Sequence, residues 1–125
     1  MINRRQALAL AVASTTPLAT APTWAQDAPW PTKPITLVLP FPAGGQTDGV
    51  ARLLGKNLEP LLGQPVVVDN RPGANSLIGT NLVARSAPDG HTLLLNMTAL
   101  VSNPVLLPNV NYDPHKDFAP VARLY

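Results

Sequence analysis

Apolar positions fall into two kinds of run along this chain, and their spacing sets the order of its elements. Ile35–Leu39 is apolar except for Thr36, the pattern of a strand buried on both faces of a parallel sheet. Val50, Leu54, Leu58 and Leu61 then recur at helical spacing and predict an amphipathic helix over 50–62 with that stripe inward. Gly55 weakens this helix and Pro60 bends or shortens its last turn. Gly63 fits a terminator, and Thr47 or the residue before it can cap the start. Val66–Val68 reads as a second buried strand. A second helix is expected from Leu77 to Ala87, with Ile78, Leu82 and Val83 inward and Asn75 or Ser76 as its cap. Pro88-Asp-Gly90 marks a sharp turn, and His91–Asn96 reads as a third strand. Met97–Asn103 opens a loop or a helix. Pro104 and Pro108 break regularity, 111–120 is a turn-rich crossing, and Val121–Tyr125 opens a further strand.

The order is βαβαβ, an α/β class with a parallel sheet and right-handed crossovers. In the common strand order 2-1-3 the chain switches its direction of travel between the first and third strands. Ligands bind outside the carboxyl ends of strands at such a point. Phe41–Asp48 and Met97–Ser102 lie there, and the turn Gly73–Ser76 sits at the same edge. The stretch Pro40-Phe-Pro-Ala-Gly-Gly-Gln-Thr-Asp48 feeds a helix N-terminus, whose free N–H groups and dipole favour an anion. Gly44 and Gly45 are expected to turn with positive φ and to admit a ligand close to the backbone. The plain alternative is a tight turn with no ligand.

The start of the chain has a different character. Arg4 and Arg5 precede the apolar run Ala7–Ala13, and Thr23-Trp-Ala25 offers small residues before a cut. Residues 1–25 thus read as an export signal, with Gln26 opening the mature chain. The run is too short to span a bilayer. The paired arginines fit either the twin-arginine or the general export route, and a periplasmic location follows. Residues 26–34 form a proline-rich surface leader. The formal charge of +2 falls to zero once Arg4 and Arg5 are set aside, because seven basic residues then face seven acidic ones. With no basic cluster and no aromatic ladder, nucleic acid is not an expected partner. The chain has no cysteine, which excludes disulfides, thiolate catalysis and zinc–thiolate sites.

Enzyme signatures are absent: no phosphate-loop G-x-x-x-x-G-K-S/T, no G-x-G-x-x-G, no G-x-S-x-G and no H-E-x-x-H. His91 and His115 read as surface histidines, and no metal or cofactor is expected. Asp48 has two structural readings, a first-turn carboxylate and a pair with Arg52. Its functional reading is an acceptor for an amino or hydroxyl group of a ligand. Arg71 pairs with Asp69 or reaches a ligand. Thr98 is a short donor at the end of the third strand.

Several motifs occur in series with their spacing kept: Pro40–Asp48, Gly63-Gln-Pro-Val-Val-Val-x-Asn70, Arg71-Pro-Gly-Ala74, Pro88-Asp-Gly-x-Thr-Leu-Leu94, Asn103-Pro104 and 112–120. Together they resemble the Bug-type receptors, the extracytoplasmic substrate-binding proteins of tripartite tricarboxylate transporters. The resemblance covers residues 30–124. It implies a type II periplasmic-binding fold of two lobes that captures a small carboxylate or related solute and presents it to a two-component membrane permease, without catalysis. It also implies ligand contacts from Phe41, Ala43, Gly44, Gly45, Thr47, Asp48, Gly73, Ala74, Asn75 and Ser76, with Thr98 contributing. Ser76 stands where that family often has glycine. Residues 35–125 are expected to form the first part of lobe one, with the second lobe absent, so that the chain alone is not a working receptor. The alternatives are a small periplasmic α/β enzyme that binds an anion at the glycine loop, or a truncated product without function.

Overall fold

The computed structural model describes residues 29–124. The expected export signal, residues 26–28 and Tyr125 lie outside the described residues. The elements are β1 (Ile35–Leu39), α1 (Gln46–Leu62), β2 (Val66–Asn70), α2 (Leu77–Ala84), β3 (Thr92–Leu94) and α3 (Ala99–Leu106). The three strands form one sheet in the order β2-β1-β3, and both pairings are parallel. Leu39 lies opposite Asn70, and Val38 opposite Leu94. The carboxyl ends of all three strands therefore open on one edge, and the crossover between β1 and β3 places the switch point there, as the apolar pattern implied.

β1 is the centre of the core. Ile35, Leu37, Val38 and Leu39 are all buried, which explains why this strand has almost no polar position. Leu37 and Leu39 pack with Ala51 and Leu95, and Phe41, Leu54, Val66, Val68 and Leu93 close around them. The inward face of α1 differs from the expected stripe. Its buried residues are Asp48, Ala51 and Gly55, while Leu61 is 79% exposed. The helix seats its smallest residues on the sheet: a Cβ at Gly55 would meet the Val66 carbonyl at 3.2 Å. That close approach turns the leucine stripe partly off the core. In α2 the same holds, with Gly79 and Thr80 buried and Ile78 53% exposed. A Cβ at Gly79 would lie 3.0 Å from Pro40 and 3.1 Å from the Arg71 carbonyl. A side chain there would push α2 away from the loop that follows β1.

Gly63 terminates α1 with φ +67°, its N–H bonded to the Glu59 carbonyl at 3.0 Å. α2 stops at Ala84 rather than Ala87. β3 is shorter than expected. Residues 121–124 form no strand, and Val121 is exposed. α3 continues through Pro104, where a break was expected. Proline has no N–H to donate to Leu100, four residues back. The Tyr112 hydroxyl donates to that carbonyl instead, at 3.0 Å. Tyr112 is buried, and desolvation raises its pKa.

At the amino ends of the strands the leader is clipped to the turn before β3. Trp30 Nε1 donates to the Asp89 carbonyl at 3.1 Å, and Lys33 Nζ lies 2.9 Å from Asp89 Oδ2. The Lys33 contact, then the His91 N–H, hold the Asp89 carboxyl at a pKa of about 2. His91 is buried rather than on the surface. It accepts from the Thr32 N–H at 3.3 Å and packs beside the Trp30 ring.

Candidate functional site

The first loop leaves the buried Pro40 and turns back at Gly44, whose φ is +83°. Gly45 does not share that conformation. Its φ is −77°, and it stands as the N-cap of α1 without a side-chain cap bond. A Cβ at position 45 would meet only the Pro42 carbonyl, at an ordinary 3.6 Å. The requirement for glycine is therefore at 44. Thr47 does not cap the helix, which begins at Gln46.

Asp48 closes this loop on itself. Its Oδ2 accepts from the Gly44 N–H and from Arg52 Nε, each at 2.9 Å, and its Oδ1 accepts from Asn70 Nδ2 at 3.0 Å. Asn70 Nδ2 also donates to the Phe41 carbonyl at 3.2 Å. Asp48 is 4% exposed. Arg52 first, then the Gly44 N–H and Asn70, bring its pKa down to about 2. Both structural readings of Asp48 are present, and Asn70 adds a tie from the end of β2 that the sequence did not suggest. The signal was there in the register, since Asn70 pairs with Leu39 at the last position before the loop.

The turn after β2 has an unusual backbone. Gly73, Ala74, Asn75 and Ser76 all have positive φ, at +122°, +47°, +52° and +69°. Neither Asn75 nor Ser76 caps α2 through its side chain. Asn75 Nδ2 donates to Asn103 Oδ1 at 2.7 Å, and Asn103 Nδ2 donates to the Asn75 carbonyl at 2.7 Å and to Ser76 Oγ at 3.4 Å. Ser76 is buried with its hydroxyl toward Asn103. Thr80 Oγ1 donates to the Ser76 carbonyl at 2.8 Å and accepts from Asn96 Nδ2 at 3.0 Å. The turn is thus linked to the loop after β3 and to α3.

Three segments meet at the strand ends. Between the start of α1 and the loop after β3, a cleft of about 190 Å³ is lined by Gln46, Thr47, Val50 and Met97. Thr47 Oγ1 reaches Met97 Sδ at 3.9 Å across it. Phe41 is half-buried against the core, and Ala43, Gly44 and Gly45 are exposed. Thr98 is exposed beside Met97, and its carbonyl starts α3 by accepting from Val101 and Ser102. Gly73–Asn75 are exposed at the same edge. A wider groove of about 390 Å³ between α3 and 112–115 takes no residue from a strand end. The arginines at the edge are engaged: Arg52 with Asp48, and Arg71 Nε with both Asp69 oxygens at 2.9 Å. Among the described residues, no cluster of three or more His, Asp or Glu could hold a metal ion. The edge therefore offers an anion main-chain N–H groups and hydroxyls rather than an unpaired cation.

Residues 50–125 match the family described as the tripartite tricarboxylate transporter family receptor. The chain belongs to that family. It is 46% identical over 123 residues to the UPF0065 protein in the tcbD-tcbE intergenic region of Pseudomonas sp. (strain P51), covering 96% of this chain and 35% of that protein. It is similar to the structure of the periplasmic binding protein BugD, with a TM-score of 0.70 and 45% identity over 73% of this chain and 30% of that one. It is also similar to MatC (Rpa3494) from Rhodopseudomonas palustris with bound malate, with a TM-score of 0.69 and 41% identity over 73% of this chain and 31% of that one. The chain thus spans about a third of the length of these relatives. At these identities the βαβαβ unit is part of a periplasmic-binding fold, as the serial motifs implied. Among the described residues of this family member, no helix is long and apolar enough to cross a membrane.

Proposed function

We propose that this chain is the N-terminal part of an extracytoplasmic solute-binding receptor. It captures a small carboxylate and serves a two-component membrane permease. On this reading residues 1–25 are an export signal that directs the product to the periplasm, 26–34 are the leader, and 35–125 are the first part of lobe one. The observation that carries the reading is the joining of the α1 N-terminus and the loop after β3 at the switch point, in a chain similar to a malate-bound protein. The helix N-terminus there has no side-chain cap, so its main-chain donors suit a carboxylate oxygen. Phe41, Ala43, Gly44, Gly45, Thr47, Gly73, Ala74, Asn75 and Thr98 form the ligand face. Asp48 and Ser76 stand behind it and shape the two turns.

A ligand site normally buries about 70–90% of its ligand, and one edge of one sheet covers less than that. Malate at millimolar concentration is therefore the suitable probe. Added to the ¹⁵N-labelled chain, it is expected to shift the amides of 43–47, 73–76 and 97–98. Absent shifts, or shifts confined to the groove between α3 and 112–115, would overturn the reading. Exported protein is expected to begin at Gln26 on N-terminal sequencing.

A further inference from the structure

The turn 73–76 places four consecutive residues in the left-handed region, and three of them carry a Cβ. Such residues bring the Cβ against the following carbonyl, and they persist there only when their surroundings impose the conformation. The packing of Ala74 and Asn75 does not impose it, since both are exposed. What grips the turn is the side-chain amide of Asn103. It is fully buried in α3, and it pairs with Asn75 twice, once through the main-chain carbonyl and once through the side chain, each at 2.7 Å. Its Nδ2 also lies 3.4 Å from Ser76 Oγ. Asparagine is a poor helix former, and its position one residue before Pro104 gives the helix nothing in return. The geometry of both pairs suits an amide: one face must donate to a carbonyl while the other accepts from an amide, which neither a carboxylate nor an apolar side chain can do.

We infer that Asn103 is the positioning residue of the ligand-facing turn: its amide imposes the left-handed conformation of 74–76 and, through α3, ties that turn to the loop carrying Thr98. The consequence for ligand rests on the receptor reading above; the conformational part does not. Because α3 begins directly after Thr98, a displacement of that loop is passed to the turn through Asn103, beside the bond from Asn96 to Thr80. Two of the three segments proposed to contact ligand then move as one unit.

The test compares the wild-type chain with Asn103→Leu, with Asn103→Leu/Ala74→Gly, and with the milder exposed-site variant Asn75→Ala. The first readout is the intraresidue HN–Hα NOE, which is strong at positive φ. It is expected to be strong at 74–76 in the wild type, to fall at Ala74 and Asn75 in Asn103→Leu, and to fall partially in Asn75→Ala. Glycine adopts positive φ freely, so the Ala74→Gly change is expected to restore the signal at Asn75 and Ser76 without refilling the Asn103 site. A merely space-filling role for Asn103 would show no such rescue. The second readout is the concentration of malate giving half-maximal amide shifts, expected to rise about tenfold in Asn103→Leu and to return toward wild type in the double variant. Left-handed NOE intensities that persist in Asn103→Leu would overturn the inference. Should Asn103→Leu not fold, unchanged intensities in Asn75→Ala would overturn it equally. A wild-type chain that ignores malate would count against the receptor reading alone, because the NOE comparison decides the role of Asn103 without ligand.

Discussion

Asp48 and Gly44 together show how one residue's chemistry fixes another's identity. The carboxylate accepts the Gly44 N–H only because Gly44 turns with φ +83°. Replacing Gly44 with alanine is expected to cost about 1–2 kcal/mol, read as a lower urea midpoint. Gly45→Ser is expected to do the opposite by a few tenths of a kcal/mol, since its Cβ has room and the hydroxyl supplies the cap that α1 lacks. Equal losses at both positions would mean the loop is tight throughout. Asp48 also sets a pH dependence. Its pKa is lowered from 3.8 to about 2, so the folded state prefers the ionised form. Its stabilisation is complete above the unfolded value of 3.8 and is lost as pH falls through about 2. A ¹³C-carboxyl titration is expected to place the Asp48 midpoint near the lower value; a midpoint near 4 would mean that the Arg52 contact does not form in solution. Ser76 illustrates what was legible. Its place in the turn before α2 was visible in the sequence, whereas its φ of +69° was not. Asn103, 27 residues further on, could not be assigned to it by any local spacing.

At the level of elements, the sequence revealed strands better than helix faces. β1 is apolar on both sides because it lies between two neighbours under helices, so its period carried no ambiguity. α1 approaches the sheet through Ala51 and Gly55, and α2 approaches the segments just after β1 and β2 through Gly79. A hydrophobicity pattern gives such small residues little weight; of the expected stripe Leu54 does pack against the core, while Leu61 faces away from it. α3 differed for another reason: Pro104 signals a break, but Tyr112 takes up the freed Leu100 carbonyl from outside the helix. Tyr112→Phe keeps the ring and its edge-on contact with Phe118 while removing that bond. It is expected to cost about 1 kcal/mol and to speed amide exchange in the first turn of α3. Unchanged exchange would mean water replaces the hydroxyl without penalty.

Across the whole molecule, the sheet has two poles. The carboxyl ends of the strands hold the proposed ligand face, and the amino ends hold the clip between the leader and the Asp89 turn. Their separation follows from parallel pairing, which sends every strand the same way and so divides loops by direction of travel. This polarity was readable from the order βαβαβ alone. The clip was not, because its partners lie 56–59 residues apart.

That clip gives the protein a built-in optical marker. The sequence holds two tryptophans, Trp24 and Trp30; the proposed removal of residues 1–25 would leave only Trp30 of the two. Its indole rests against His91, and its N–H is held by the Asp89 carbonyl. Fluorescence from a chain beginning at Gln26 would therefore report on the pole away from the proposed ligand face. Its emission is expected to stay constant while malate is added. It is expected to shift to longer wavelength in Asp89→Gly, where Lys33 loses its partner and the N–H of His91 its acceptor. An emission change with malate alone would show that the two ends of the sheet communicate.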